Sequence, residues 1–112
     1  MLPIRGIRYY DVIRARDAGH LVVRAGLKLA CQPLNPHDPN AVSVSISVSG
    51  ELLGYMPREV AAEYGDALRR GLVRQARIHN VTRGGVWGGT RFPRVSIIVA
   101  ARRALARKVE NW

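Results

Sequence analysis

Near the start of the chain, arginines and tyrosines are arranged in a way that suits contact with nucleic acid. The segment reads Arg5-Gly6-Ile7-Arg8-Tyr9-Tyr10 and places guanidinium groups beside aromatic rings. Guanidinium groups bind phosphate and aromatic rings stack on bases, so this interleaving is typical of surfaces that bind single strands. Successive side chains of a strand face opposite sides. We therefore expect one of the two tyrosines to lie in the core and the other to be available for stacking.

A second segment, Asn35-Pro36-His37-Asp38-Pro39-Asn40-Ala41, predicts a stiff loop with polar side chains. Each proline fixes its φ angle, and Asn or Asp side chains close local turns through their own backbone. The sequence leaves two interpretations open. Asn35, Asp38 and Asn40 cap the loop, or the loop displays Asn, His and Asp to recognise a hydroxyl group or a base edge.

The elements that must position these segments are mostly short strands. The residue pattern predicts strands over 4–10, 20–23, 27–31, 42–48, 51–56, 72–82 and 95–100, a helix from Pro57 to Gly71, and a glycine-rich loop over 83–93. The strict alternation of Val or Ile with Ser over 42–49 indicates a strand with one buried face and one face exposed to water. The fold class we expect is mainly β: a small, OB-like, partly open antiparallel barrel of about six strands with one helix.

The domain is expected to span residues 1–101 and to be followed by a basic C-terminal tail over 102–112. In the tail, Leu105, Val109 and Trp112 recur at helical spacing. This apolar stripe favours docking of a tail helix on the domain or on a second copy, which would give a homodimer.

The composition is that of one folded domain with a strong positive charge. The 112 residues are 47% hydrophobic, and 18 Lys+Arg against 8 Asp+Glu give a net charge of +10. Lys28 and Lys108 are the only lysines, so the basic residues are almost all arginine. This bias favours a polyanionic partner, although an arginine-rich proteome would produce it as well.

Several function classes find no support in the sequence. No apolar run approaches the roughly 18 residues of a membrane span, so we expect no membrane association. The single cysteine, Cys31, excludes an internal disulfide and favours a cytoplasmic location. His20, His37 and His79 are too far apart in sequence for a zinc motif, and no phosphate loop or nucleophile elbow is present. We therefore expect no cofactor, no metal and no catalysis; a nuclease that binds a metal through Asp11 or Asp38 is the enzymatic alternative.

With these motifs in place, the chain resembles the HIRAN domain family. The resemblance rests on Arg5–Tyr10, on Asn35–Val44, and on Gly54-Tyr55-Met56-Pro57-Arg58 before the helix. It implies an OB-like barrel that binds single-stranded DNA and, in fork-remodelling members, captures its 3′ end. The implied nucleic-acid-binding residues are Arg8, Tyr9, Tyr10, Asn35, His37, Asp38, Tyr55, Arg58 and Trp87.

The resemblance also implies a role for each group of residues. Arg8, Tyr9 and Tyr10 would contact the backbone and the terminal nucleotides. Asn35, His37 and Asp38 would line the end pocket, where Asp38 accepts a hydrogen bond from the 3′-hydroxyl group. Tyr55 and Arg58 would add phosphate contacts. The late stacking aromatic would be Trp87 or Phe92.

The function that we expect is non-catalytic binding of single-stranded DNA with recognition of free 3′-hydroxyl ends, in DNA repair or replication-fork processing. A helicase or a nuclease would then act beside this domain. The alternatives are an OB-like module that binds RNA or an anionic protein, and the metal-dependent nuclease.

Overall fold

The chain folds around one antiparallel sheet. The structure, a computed structural model, describes residues 2–3 and 11–101, and only the backbone of residues 2, 3, 87 and 101. In chain order the elements are β1 (Leu2–Pro3), α1 (Val12–Asp17), β2 (Gly26–Cys31), β3 (Val42–Ile46), β4 (Leu52–Tyr55), α2 (Arg58–Arg69), β5 (Val73–Trp87) and β6 (Thr90–Ala101). The strand order is β1-β6-β5-β2-β3-β4. The sheet curls into a half-barrel, which confirms the expected mainly β, OB-like class.

The core lies on one face of this sheet. On β3, Val42, Val44 and Ile46 are almost completely buried, as the alternating pattern predicted. The expectation of a water-exposed serine face was wrong at Ser43, which is also buried and whose hydroxyl group donates to the carbonyl of Ala30 on β2 at 3.3 Å. The polar partner offsets the cost of removing this hydroxyl group from water.

Helix α2 packs across β2 and β3. It begins after Pro57 and ends before Gly71, whose φ of +69° is one that glycine adopts without strain. Both boundaries agree with the sequence prediction. Gly65 faces the sheet: a Cβ added there would lie 3.6 Å from Cys31 Sγ and from Val42 Cγ2. A small residue therefore lets this helix approach the two strands closely.

Two early segments differ from the prediction. The sequence predicts no element over 11–19, but Val12–Asp17 form α1 and bury Val12 and Ala15. A helix of six residues, fewer than two turns, offers too few positions for a visible apolar period. The strand expected over 20–23 was wrong. The chain turns there, and the N–H of Arg24 donates to the carbonyl of Ile78 on β5 at 2.8 Å.

The glycine-rich loop expected over 83–93 was also wrong. These residues form the far end of the β5–β6 hairpin, in which Trp87 pairs with Thr90 around a two-residue turn. Gly88 and Gly89 both have positive φ, which the tight turns favoured in hairpins require. Strand β3 is shorter than expected, because the chain turns after Ile46 and leaves Val48 88% exposed.

The N-terminal part of the chain touches both edges of the sheet. Leu2 pairs with Ile97 of β6, and the N–H of Asp11 donates to the carbonyl of Leu52 on β4 at 2.8 Å. The strand expected over 4–10 lies outside the described residues. So does the tail over 102–112, with its expected helix and homodimer contact.

Candidate nucleic-acid interface

The loop that joins β2 to β3 is closed by backbone hydrogen bonds at its two ends. The N–H of Gln32 donates to the carbonyl of Ala41 at 2.9 Å, and the N–H of Ala41 donates to the carbonyl of Asp38 at 3.0 Å. Asn35 N–H donates to the carbonyl of Gln32 at 3.0 Å. The loop therefore has a defined shape before any ligand arrives.

Asn35 shapes the loop from inside. Its Oδ1 accepts from the N–H groups of His37, at 2.9 Å, and Asp38, at 3.2 Å, while its Nδ2 donates to Gln32 Oε1 at 3.1 Å. Asp38 makes a similar turn, since its Oδ1 accepts from the N–H of Asn40 at 2.9 Å. These are the local turns that short polar side chains form. The capping interpretation thus holds for Asn35 and for one oxygen of Asp38.

The second carboxylate oxygen of Asp38 faces the start of α2. Asp38 Oδ2 lies 3.6 Å from Arg58 Nε, and Arg58 Nη2 donates to the carbonyl of His37 at 3.4 Å. A cation in the first turn of a helix is disfavoured by the helix dipole. The carboxylate of Asp38 and the carbonyl of His37 offset this cost and tie the loop to the helix.

These side chains surround a cleft of about 320 Å³. Its lining residues are Asn35, His37, Asp38, Ala41, Tyr55, Met56, Arg58 and Glu59. The Asp38 side chain is 19% exposed and the Arg58 side chain 76% exposed, so the cleft presents a partly shielded carboxylate next to an exposed cation. With Glu59 at its rim, the cleft is not a simple cationic pocket.

A second cavity of about 570 Å³ adjoins the first and shares Asn35, His37 and Tyr55 with it. Its other lining residues are Gln32, Pro33, Leu34 and Pro36. Leu34 is 94% exposed, so the cavity offers apolar surface to solvent. A planar ligand such as a base would find van der Waals contact here beside the polar first cleft.

Five of the nine predicted site residues are therefore brought together: Asn35, His37, Asp38, Tyr55 and Arg58. Arg8, Tyr9 and Tyr10 lie outside the described residues. The backbone of Trp87 closes the β5–β6 hairpin, and its side chain is not described. Phe92 pairs with Gly85 and packs, partly buried, against the core, which gives this ring a structural role.

Sequence reasoning missed Gln32, which links the loop to the sheet. Its Oε1 accepts from Asn35 Nδ2 and also from the hydroxyl group of Tyr55 on β4, at 2.9 Å. Nothing local in the sequence marks Gln32, because its partner on β4 is 23 residues away. A glutamine between a strand and a proline, facing a loop rich in donors, is the only hint.

In residues 11–101, no three His, Cys, Asp or Glu side chains are grouped as a metal site would need. No helix in the described part of the chain has the length and apolar character to cross a membrane.

The curled sheet and its polar cleft define a small OB-like binding domain. The chain belongs to the HIRAN domain family, whose model matches residues 2–88. HIRAN domains are DNA-binding domains, so DNA is the ligand class that the family assigns.

Two solved structures share the fold. The crystal structure of the HIRAN domain of human HLTF matches with a TM-score of 0.61 at 19% identity, covering 98% of this chain and 81% of that chain. A protein from Lactobacillus plantarum matches with a TM-score of 0.58 at 22% identity, covering 88% of this chain and 89% of that chain. No sequence match was found among curated proteins.

Proposed function

We propose that this domain binds the free 3′-hydroxyl end of single-stranded DNA in the cleft between the β2–β3 loop and α2, without catalysis. The observation that carries the proposal is the placement of Asp38. One of its carboxylate oxygens is used by the loop, and the other faces a cleft of about 320 Å³. That oxygen is 3.6 Å from Arg58 Nε, beyond a good hydrogen-bond distance, so it keeps capacity to accept from a ligand.

A carboxylate at this position selects between end groups. A terminal hydroxyl group donates a hydrogen bond to it, whereas a terminal phosphate brings a like charge close to Asp38 and Glu59. Binding a phosphate there would leave two carboxylates facing it, with Arg58 as the one opposing cation that lines the cleft. The cleft therefore favours a hydroxyl end over a phosphorylated end.

Arg58 and the second cavity supply the remaining contacts. The guanidinium group of Arg58 is exposed and makes only long contacts, at 3.6 Å to Asp38 and 3.4 Å to the carbonyl of His37, so it would exchange them for the phosphodiester that precedes the last nucleoside. His37 and Tyr55 line both cavities, and the apolar surface at Pro33 and Leu34 would receive a base. If about three phosphates are neutralised, log K falls with log salt at a slope of roughly −2.

The test compares one oligonucleotide with either a 3′-hydroxyl or a 3′-phosphate end in fluorescence anisotropy. The wild-type protein should bind the hydroxyl form more tightly. Asp38→Asn keeps an oxygen for the N–H of Asn40 but removes the charge, and it should lose most of this discrimination. Asp66→Asn, which removes an exposed carboxylate on α2, is the matched control and should retain it. Equal affinity of the wild-type protein for the two ends would refute the proposal.

Two companion measurements address the other functions that the sequence allowed. Incubation of a labelled strand with Mg²⁺ or Mn²⁺ should leave the strand intact, whereas cleavage would show a nuclease. An RNA of the same sequence should compete less well than the DNA; equal competition would favour a general single-strand module.

The biological role that we propose is the capture of DNA ends during repair or fork processing. In that role, a helicase or a nuclease would act on the strand whose end this domain holds. A pull-down with purified helicase in the presence and absence of a 3′-ended strand tests it, and recruitment should require the strand.

A further inference from the structure

Among the described elements, strands β2, β5 and β6 carry positive charge that no acidic residue of the same strand balances. Strands β2, β5 and β6 contain no acidic residue, and their basic residues are Lys28, Arg74, Arg77, Arg83, Arg91 and Arg94. Helix α2, by contrast, carries Glu59, Glu63 and Asp66 against Arg58 and Arg69. The cleft at the start of α2, called the end cleft below, therefore lies beside acidic and basic side chains, whereas β5 and β6, which follow β2 in the sheet order, contain basic residues alone.

The pairing of the strands places part of this charge on the same face as Tyr55, one of the residues that line the cleft. Tyr55 on β4 is opposite Ser43, which is opposite Ala30 on β2. Residues opposite each other share a face, and so do alternate residues of one strand. Lys28 and Gly26 therefore lie on the face of Tyr55, and Gly26 is opposite Arg77 on β5. We call this face, marked by Tyr55, Lys28 and Arg77, the polar face.

A third cavity, of about 350 Å³, lies at the far end of the polar face. Arg24 and Arg77 both line it, together with Gln75, His79 and Ile98. Arg77 is held in place, because its Nη1 donates to the carbonyl of Arg24 at 3.3 Å and its Nε donates to Gln75 Oε1 at 3.2 Å. Two guanidinium groups at one cavity, with no carboxylate among the lining residues, suit a phosphate group.

We infer that the polar face binds the sugar-phosphate backbone of the DNA strand as it leaves the end cleft, with Lys28 and the Arg24–Arg77 cavity as phosphate contacts. The inference rests on the proposed function, because the cleft fixes where the strand begins. Arg24 and Lys28 are suited to it, since no hydrogen bond or ion pair within residues 11–101 occupies either charged group.

The dimensions of the sheet set the length of strand required. Three strand spacings separate β4 from β5, and four residues of β2 separate Ala30 from Gly26. At ~4.8 Å per strand and ~3.3 Å per residue, Tyr55 and Arg77 are about 20 Å apart, with Lys28 near the middle. Stacked nucleotides advance ~3.4 Å each, so about six nucleotides cover this distance. A very short oligonucleotide reaches only the cleft.

The test uses oligonucleotides of about three and about twelve nucleotides, each with a free 3′-hydroxyl end. The double variant Arg24→Gly/Arg77→Gln removes two charges from the cavity, and glycine accepts the φ of +73° that Arg24 adopts. The double variant Arg69→Gln/Arg70→Gln removes two charges at the end of α2 and serves as the control. Thermal unfolding of each variant checks that the fold is retained.

We expect the wild-type protein to bind the longer strand more tightly, and the cavity variant to lose that advantage. Two fewer phosphate contacts change the salt slope by about 1.4. Between about 50 and about 200 mM salt, the affinity of the wild-type protein for the longer strand should then fall about sevenfold more than that of the cavity variant. Binding of the short oligonucleotide and the preference for a 3′-hydroxyl end should not change.

The outcomes separate this inference from the proposed function. If the cavity variant keeps the wild-type salt slope, or if the control variant loses as much affinity for the longer strand, DNA binding by the polar face is refuted while end recognition stands. If the cavity variant loses affinity for the longer strand but the wild-type protein does not distinguish the two end groups, DNA binding by the polar face is supported and recognition of the 3′ end in the cleft is refuted. If the wild-type protein binds neither oligonucleotide, both are refuted.

Discussion

Gln32 offers the sharpest test of how the loop is organised, because one atom holds two partners. Its Oε1 accepts from Asn35 Nδ2 at 3.1 Å and from the Tyr55 hydroxyl group at 2.9 Å. A hydrogen bond contributes about 0.5–1.5 kcal/mol net, so Gln32→Leu should cost about 1–3 kcal/mol in the ordering of the loop. A strand that binds only the ordered loop then loses about 5- to 150-fold in affinity.

A second variant separates position from charge. Gln32→Glu keeps a side-chain oxygen that accepts both hydrogen bonds but adds a negative charge beside the strand. It should keep the stability of the wild-type protein and still weaken DNA binding. This deficit should shrink as salt rises from about 0.01 M to about 0.15 M, where the Debye length falls from about 30 Å to about 8 Å. The deficit of Gln32→Leu should not depend on salt in this way.

Urea unfolding and anisotropy titrations measure the two effects. This role of Gln32 is refuted if Gln32→Leu binds the 3′-hydroxyl strand with wild-type affinity, because the loop would then be ordered without its central acceptor. It is also refuted if Gln32→Glu and Gln32→Leu respond identically to salt.

Three further predictions concern stability. Gly84→Ala should destabilise the hairpin by well over the ~1–2 kcal/mol that alanine costs in the left-handed conformation, since its Cβ would overlap the carbonyl oxygen of Phe92. Gly88→Ala, in open space at a similar φ, should cost only that amount, and equal urea midpoints of the two variants would contradict this. Burial, with a smaller effect of Glu63, raises the pKa of Tyr64 above its ordinary value. The stability that the neutral phenol contributes is therefore present below pH ~10 and lost as pH rises through the folded-state pKa. Tyr64→Phe should flatten the alkaline part of a curve of stability against pH, and an unchanged curve would contradict this prediction. Leu53→Ala should cost about 2–5 kcal/mol in chemical unfolding because Leu53 is fully buried on β4, and a cost under about 1 kcal/mol would mean that the core closes around the gap.

The fold could be predicted where local chemistry and packing agree. Alternation marked β3, and the proline and glycine signals bounded α2. Helix α1 was not predicted because its six residues are too few to show an apolar period. Val12 is buried only because the helix packs against the sheet. At the tip of the β5–β6 hairpin the sequence predicts a loop, because four glycines cluster there. Gly84, Gly88 and Gly89 are instead used for positive φ angles within a paired ribbon.

In the candidate site, too, local contacts could be predicted from the sequence and contacts between distant residues could not. The turns closed by Asn35 and Asp38 could be anticipated because a short polar side chain finds its own neighbouring backbone. The contacts of Gln32 with Tyr55 and of Asp38 with Arg58 could not, since both join residues about twenty positions apart. The family resemblance placed Tyr55 and Arg58 at the site, while Gln32 and the Arg24–Arg77 cavity emerged only from the structure.

By itself, the sequence determined the antiparallel β class, the bounds of α2, the turns of the proline-rich loop and the excess of positive charge. Each of these depends on residue type or on interactions within a few residues. The tertiary structure alone decided where that charge lies relative to the cleft. Strand order and register, set by which apolar faces bury each other, bring Lys28 and Arg77 onto the face of Tyr55.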